Sequence, residues 1–182
     1  MKKTGLRIRK FGDPVLRKKS TPVEKITPRH QEFLSGMARL MYAGEGVGLA
    51  APQAGINKAM IVVDIGQELY KLINPKIVRA QGYQTNKEGC LSLPGLCIRV
   101  KRAKKIRLNA LNESGEPLNI EAEGLLACVF QHEIDHLQGR LIVDYASLVE
   151  KIRIAKLLRE LKKKGRDESL SESETKSCKL QL

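Results

Sequence analysis

Tryptophan is absent from this 182-residue chain, and three phenylalanines and four tyrosines are its only other benzenoid side chains. With aromatics at 4% the sequence is poor in platforms for base stacking, and neither DNA nor a membrane is expected as a partner. The longest unbroken apolar run is the six residues Leu125 to Phe130, far short of the roughly 20 that a bilayer helix needs. The basic N-terminus leads into Phe11-Gly12-Asp13-Pro14 with no apolar stretch behind it, so a signal peptide is not expected. Four cysteines, at 90, 97, 128 and 178, contain no CxxC pair and no dense framework. A reducing cytoplasm is the expected compartment, and each cysteine reads as packing, ligand or nucleophile.

What is present suffices for one domain. A chain of this length can bury roughly 70% of its extended surface in a single core without a disulfide or a partner subunit. Its net charge is +13, and three segments hold it. Met1 to Lys19 has eight basic residues against one acidic, Arg99 to Arg107 six against none, and Lys151 to Arg166 eight against one. The rest of the chain is therefore net acidic. Clusters of this kind attract RNA or other polyanions, or simply solvate exposed faces.

No internal repeat and no linker divides the chain. Residues 1–164 read as one catalytic domain and 165–182, rich in Ser, Glu and Lys, as a flexible polar tail. Thr27-Pro28 caps a first helix to Ala43, with Phe33, Leu34, Met37, Leu40 and Met41 at helical spacing. Gly44 to Gly55 reads as a loop or a strand of close backbone approach. Short strands are expected at Ala59 to Ile65, Lys71 to Val78, Leu96 to Val100, Lys105 to Leu111 and Pro117 to Glu123, the last two joined by the turn Asn112-Glu113-Ser114-Gly115. A buried helix follows from Leu125 to about Gln138, stopped by Gly139. Ser147-Leu148-Val149-Glu150 has the form of a capping box opening a basic C-terminal helix, 147–164. Its apolar stripe reads Leu148, Ile152, Ala155, Leu158 and Leu161. The fold class is α+β: short, mostly antiparallel strands around a central helix, with an N-terminal and a basic C-terminal helix.

The chemistry sits in that central helix. His132-Glu133-Ile134-Asp135-His136 is HExxH, whose histidines leave one helix face to hold one metal ion while Glu133 reaches a metal-bound water. A catalytic site needs a third protein ligand and an open fourth position. The chain places Ile142 where HExxHxxGxxH requires histidine, which disfavours that protease class, and Glu150 already serves the capping box. The third ligand is sought upstream, and Cys90 in Glu88-Gly89-Cys90-Leu91-Ser92 is the candidate. A thiolate and two neutral imidazoles leave a divalent ion with net charge +1, enough to acidify water. Gly46-Val47-Gly48-Leu49-Ala50-Ala51-Pro52-Gln53 lacks the third glycine of a dinucleotide fingerprint; its small side chains let a peptide lie against the backbone, and Gln53 offers an amide donor to an oxyanion.

Taken in order, Gly46 to Gln53, Glu88 to Ser92 and Gln131 to His136 resemble the three motifs of peptide deformylase, each complete. The likeness runs from about Phe11 to Tyr145 and includes Leu72-Ile73-Asn74-Pro75 and Glu123-Gly124-Leu125-Leu126-Ala127. It implies hydrolysis of the formyl group from the N-terminal formylmethionine of nascent polypeptides, releasing formate. It further implies that Cys90, His132 and His136 hold the metal, that Glu133 moves the proton, and that Gln53 with the Leu91 N–H receives the oxyanion. Val47-Gly48 and Gly89 would pair with the substrate backbone, while Val47, Leu125, Cys128 and Val129 would line a pocket for methionine. Glu88 and Arg102 would brace the cysteine loop. The implied ion is Fe2+, with Zn2+, Ni2+ or Co2+ able to substitute, and the C-terminal helix is similar to one that docks on the ribosome. Two alternatives stay open at this point: an HExxH metallopeptidase, and a basic ribosome- or RNA-binding protein whose metal is structural.

Overall fold

The computed structural model describes residues 6–166. Three helices, α1 (Pro28–Ala43), α2 (Gly124–Leu137) and α3 (Leu148–Arg166), pack with seven strands. These are β1 (Gly48–Ala50), β2 (Met60–Val63), β3 (Tyr70–Gln81), β4 (Gln84–Gly89), β5 (Cys97–Arg102), β6 (Lys105–Leu111) and β7 (Pro117–Glu123). A five-stranded sheet runs in the order β1-β2-β3-β6-β7, and β4 pairs with β5 in a separate ribbon. Every ladder is antiparallel. The α+β architecture expected from the sequence is the one observed. No helix among the described residues is long and apolar enough to cross a membrane.

Helix α1 covers one face of β1 and β2, where Leu34, Met37 and Met41 meet Leu49, Met60 and Val62. The third histidine of the chain works at its start, where the Thr27 N–H donates to His30 Nδ1 at 3.2 Å. Helix α2 packs on the opposite face, its Ala127, Val129 and Phe130 against Ile61, Leu72, Ile106 and Leu108. Covered on nearly all sides, α2 is held by the burial of its apolar residues rather than by helix propensity. A third cluster joins β5 to the N-terminal Leu16, to Leu141, Ile142 and Val143, and to Leu161 of α3.

Strand β3 serves two partners in succession. Ile73 pairs with Met60 of β2, and beyond a register shift Lys76 pairs with Asn109 of β6. Asn74 makes the bend in the left-handed region at φ 52, and its side-chain amide clamps both backbone groups of Val23 at 2.8 and 2.9 Å. Asparagine tolerates that conformation better than a branched residue would. At the end of α2, Gly139 has φ +71, and a Cβ there would stand 2.6 Å from the Arg17 carbonyl oxygen. The N-terminal segment therefore closes onto the helix that carries HExxH, with Ser20 N–H donating to the Leu137 carbonyl at 2.8 Å.

Several expectations need correction. Strand β4, Gln-Thr-Asn-Lys-Glu-Gly, was not expected, because its polar residues show no apolar alternation; it is held by its ladder to β5 and by the burial of Glu88 and Gly89. Strand β3 is longer than the apolar run suggested, since its second half faces solvent. The packing face of α3 is also rotated. Ile154, Leu157, Leu158 and Leu161 meet the third cluster, whereas Leu148 and Ile152 of the expected stripe are 79% and 77% exposed. The capping box does form, with the Ser147 N–H donating to Glu150 Oε2 at 2.9 Å and the Glu150 N–H donating to Ser147 Oγ at 3.2 Å. Helix α3 reaches Arg166, two residues past the expected 164, and the remainder of the expected tail lies outside the described residues.

Candidate active site

Helical geometry sets the first two donors. His132 and His136, one turn apart on α2, bring their Nε2 atoms to 3.2 Å, with ring centroids 5.0 Å apart. Cys90, just beyond β4, puts Sγ 3.3 Å from His136 Nε2. The three candidate ligand atoms lie within 4.8 Å of one another, and all three residues are buried. With bonds of about 2.0–2.1 Å to nitrogen and 2.3 Å to sulfur, tetrahedral ligands stand roughly 3.3–3.6 Å apart. Two of the three separations match those distances, so the donor set suits one small divalent ion.

Glu133 lies beside it, 3% exposed, and its Oε2 has no hydrogen-bond partner. Buried polar atoms are rarely orphaned, so this oxygen is placed for a group that is not part of the chain. Burial, tempered by the charge of His132, raises the carboxyl from its ordinary 4.5 to about 7. His136 is held well below the imidazole range, by burial first and then by His132. For His132 burial acts in the same direction but is outweighed by hydrogen bonds to Cys90 and Glu88, which raise it.

The support behind His132 is a buried ionic chain. His132 Nδ1 donates to Glu88 Oε2 at 2.9 Å, and Arg102 grips Glu88 through Nε to Oε1 at 2.7 Å and Nη2 to Oε2 at 2.9 Å. Burial alone would raise the Glu88 carboxyl, yet Arg102 and His132 together hold it down to about 2. Arg102 continues to Asp135, which also accepts from the Tyr145 hydroxyl at 2.7 Å. The sequence reading missed Asp135 and Tyr145; the middle positions of HExxH read as arbitrary, and only a fully buried arginine in need of a second carboxylate reveals them. Cys128 belongs here too. Its thiol, pushed up to about 12 by burial and then by Glu88, donates to Glu88 Oε1 at 3.2 Å as well as lining the cavity.

Gln53 sits in a 3₁₀ turn, Ala51–Ala54, after β1. The Ala50 N–H donates to its Oε1 at 2.8 Å, which turns Nε2 toward Ser92 Oγ at 3.3 Å and Cys90 Sγ at 3.5 Å. The N-terminal segment ties this turn to the cysteine loop. Arg9 N–H donates to the Gln53 carbonyl at 2.7 Å, Lys10 Nζ to the Leu91 carbonyl at 3.0 Å and Phe11 N–H to the Ser92 carbonyl at 2.9 Å.

A cavity of about 290 Å³ opens at this junction. Val47, Gly48, Leu125, Cys128 and Val129, expected around the substrate, line it with Gln53, Gly89, Cys90, Leu91, His132 and Glu133. His136 lies behind it, as do Glu88 and Arg102. Gly46, from the same glycine-rich segment, lines it as well, and so does Glu45, which was not anticipated. Glu45 adopts φ 54, a left-handed conformation uncommon outside glycine, where α1 gives way to β1. Gly48 is required by close approach, because a Cβ there would meet Glu133 Oε1 at 2.4 Å and Val129 Cγ1 at 2.9 Å. Gly48→Ala is expected to displace the Glu133 carboxylate and lower kcat/KM for formate release by about 10–100-fold, as sub-ångström misplacement does. An unchanged rate in a folded, metal-loaded variant would contradict this assignment.

The polypeptide deformylase family model matches residues 6–151. The chain belongs to that family. It is 52% identical over 141 residues to the peptide deformylase of Halothermothrix orenii, covering 76% of this chain and 92% of that protein. Over 136 residues it is 52% identical to the peptide deformylase of Carboxydothermus hydrogenoformans, covering 75% and 90%. The crystal structure of peptide deformylase from Thermus thermophilus superposes with a TM-score of 0.83 at 38% identity, covering 87% of this chain and 98% of that one. Like the rest of the family, this chain is a metal-dependent hydrolase of N-formylated peptides.

Proposed function

We propose that the enzyme removes formyl groups from nascent formyl-Met polypeptides with the roles divided as follows. Cys90, His132 and His136 hold one divalent ion, and the observation that carries the reading is their convergence beside the buried, unpartnered carboxylate of Glu133. The ion, when bound, supplies a Lewis acid that acidifies water and polarises the formyl carbonyl. Glu133 takes the proton from the attacking water and later delivers it to the leaving amine, so that one carboxyl acts first as base and then as acid. The Leu91 N–H and Gln53 Nε2 donate to the oxyanion, and the Ala50 contact fixes the amide so that no reorientation is needed at the moment of reaction.

Substrate binding follows from an open edge. Strand β1 pairs with β2 on one side only and is an outer strand of its sheet. A peptide added along Val47-Gly48, and meeting Gly89 across the cavity, gains backbone hydrogen bonds that read no sequence. Selectivity comes from the methionine side chain entering between Val47, Leu125, Cys128 and Val129. Ferrous iron is the proposed resident ion; the same donor set accepts zinc, nickel or cobalt. Anaerobic purification, metal analysis and formate release from formyl-Met-Ala form the test. Iron near one per chain with formate release supports the assignment. Release of free amine from unformylated Met-Ala-Ser at an equal rate would replace it with a peptidase.

The pH profile checks the base. Glu133 is raised toward 7 by burial, and a bound cation draws it back down. Since the base must be ionised, kcat/KM is expected to fall on the acid side between pH 7 and 4.5. A profile flat over that interval excludes Glu133 as the base.

We place the enzyme in the cytoplasm, docked on the ribosome through α3. Exposed Lys151, Arg153 and Lys156 flank exposed Leu148, Val149 and Ile152, a mixed basic and apolar surface. Because Leu157, Leu158 and Leu161 pack on the third cluster, truncation would disturb the fold. Substitution of Lys151, Arg153 and Lys156 by alanine is instead expected to reduce salt-sensitive ribosome co-sedimentation without moving the melting curve. Unchanged sedimentation would remove the docking role.

A further inference from the structure

The basic segment Arg99 to Arg107 contributes only Arg102 to the active site, and its other cations need an explanation. Ile106, Leu108 and Ala110 point into the core beneath α2, so Lys105 and Arg107, alternating with them, face outward. A register shift in β3 supplies their neighbours. Ile77 pairs with Leu108, but the next pair is Arg79 with Arg107, so Val78 is an extra, bulged residue. Without that bulge Arg79 would oppose Ile106 and face the core. With it, two arginines stand directly opposite each other on adjacent strands, a pairing that is destabilising unless an anion lies between them. Bulges of this kind commonly re-aim side chains at functional sites.

A cavity of about 280 Å³ lies on this face, sharing no residue with the active-site cavity. Arg107 Nε is buried there without an acceptor. Of the two nearby carboxylates, Glu123 is engaged by Lys105 at 2.9 Å, and Glu121 is the cross-strand neighbour of Arg107. Among the described residues no carboxylate forms an ion pair with Arg79, Arg107, Lys101 or Lys104. The adjoining turns add an aromatic ring. Tyr83 is 75% exposed with Lys101 Nζ 4.0 Å from its centroid, and the Lys104 N–H donates to the Gln81 carbonyl at 3.1 Å, setting Lys104 beside the same turn.

We infer that the outer face of β3, β6 and β7, with the turns at its end, binds RNA. Arg79 and Arg107 hold a phosphodiester, Lys101 and Lys104 extend the contact, and Tyr83 stacks a base. Paired guanidiniums suit phosphate oxygens, and an exposed ring suits an unpaired base. An anionic lipid surface would call for apolar side chains among the cations, yet Val78 is the one large exposed aliphatic residue on these strands among those described. The surface includes no residue of α3, so it stands apart from the docking role proposed for that helix.

Fluorescence anisotropy of the metal-loaded full chain with a labelled single-stranded RNA of about 16 nucleotides tests this. Arg79→Ala with Arg107→Ala is expected to weaken binding about tenfold or more at low salt and to flatten the slope of log K against log salt by about 0.7, one phosphate contact's worth. Tyr83→Ala is expected to weaken binding about tenfold with the slope unchanged. Arg79→Lys with Arg107→Lys keeps the slope, and all these variants keep the wild-type kcat/KM on formyl-Met-Ala. Wild-type affinity and slope in both alanine variants would overturn the inference. So would a loss confined to phosphatidylglycerol vesicles, which would make the face a lipid surface.

Discussion

Glu133→Gln is expected to lower kcat for formate release by about 10²–10⁴-fold, or roughly 3–5 kcal/mol of barrier, with metal content unchanged. Glu133 is next to a metal-ligand candidate and is not itself one, since the converging donors are Cys90, His132 and His136. Its Oε2 has no partner, so the substitution breaks no hydrogen bond at that oxygen. A neutral amide cannot accept and return a proton, yet it keeps the shape of the side chain. Burying a carboxylate without a partner is unfavourable, so the variant is expected to melt no lower than the wild type. Higher stability joined to lost activity would identify Glu133 as a group retained for chemistry. Residual activity within tenfold, about 1.4 kcal/mol, would sink the assignment.

Arg102→Ala should have the largest effect on stability. The change leaves Glu88, fully buried, facing only His132 and the Cys128 thiol, and it leaves Asp135 with Tyr145 alone. Removing one partner of a buried ion pair costs about 3–5 kcal/mol. For a chain of this size that lowers the melting temperature by roughly 6–20 °C. Replacing the pair together, Glu88→Leu with Arg102→Met, should recover part of that loss, because the fully buried Glu88 carboxylate is removed with its partner, while the part-buried Asp135 keeps only Tyr145. Metal affinity should not recover, since His132 Nδ1 would have lost the acceptor that orients its ring. Separate recovery of the two quantities, by calorimetry and by metal titration, is the expected result. Recovery of both would mean that the ionic chain serves packing alone.

Local signals along the chain suffice for several parts of this enzyme. Thr27-Pro28, the turn at Asn112 to Gly115 and Gly139 are stop and start signals whose chemistry acts within a few residues, so α1, β6, β7 and α2 appear where the sequence put them. HExxH is local in the same sense, because the i, i+4 spacing alone turns two imidazoles to one side of a helix. Other features depend on partners distant in the chain. Strand β4 is polar and becomes a strand only through its ladder to β5, and the exposed first turn of α3 is decided by which face meets Leu141 to Val143. The site is the clearest case. Gln53 comes from the layer under α1, His132 from the layer over the sheet, and Cys90 from the cluster around β5, with adjacent Leu91 belonging to the first layer. Only the packing of those three layers brings a sulfur and two nitrogens within 4.8 Å of one another and seals Glu133 behind Gly48. Residue types can name the ligands, but close packing of segments tens of residues apart fixes the distances that make them a site.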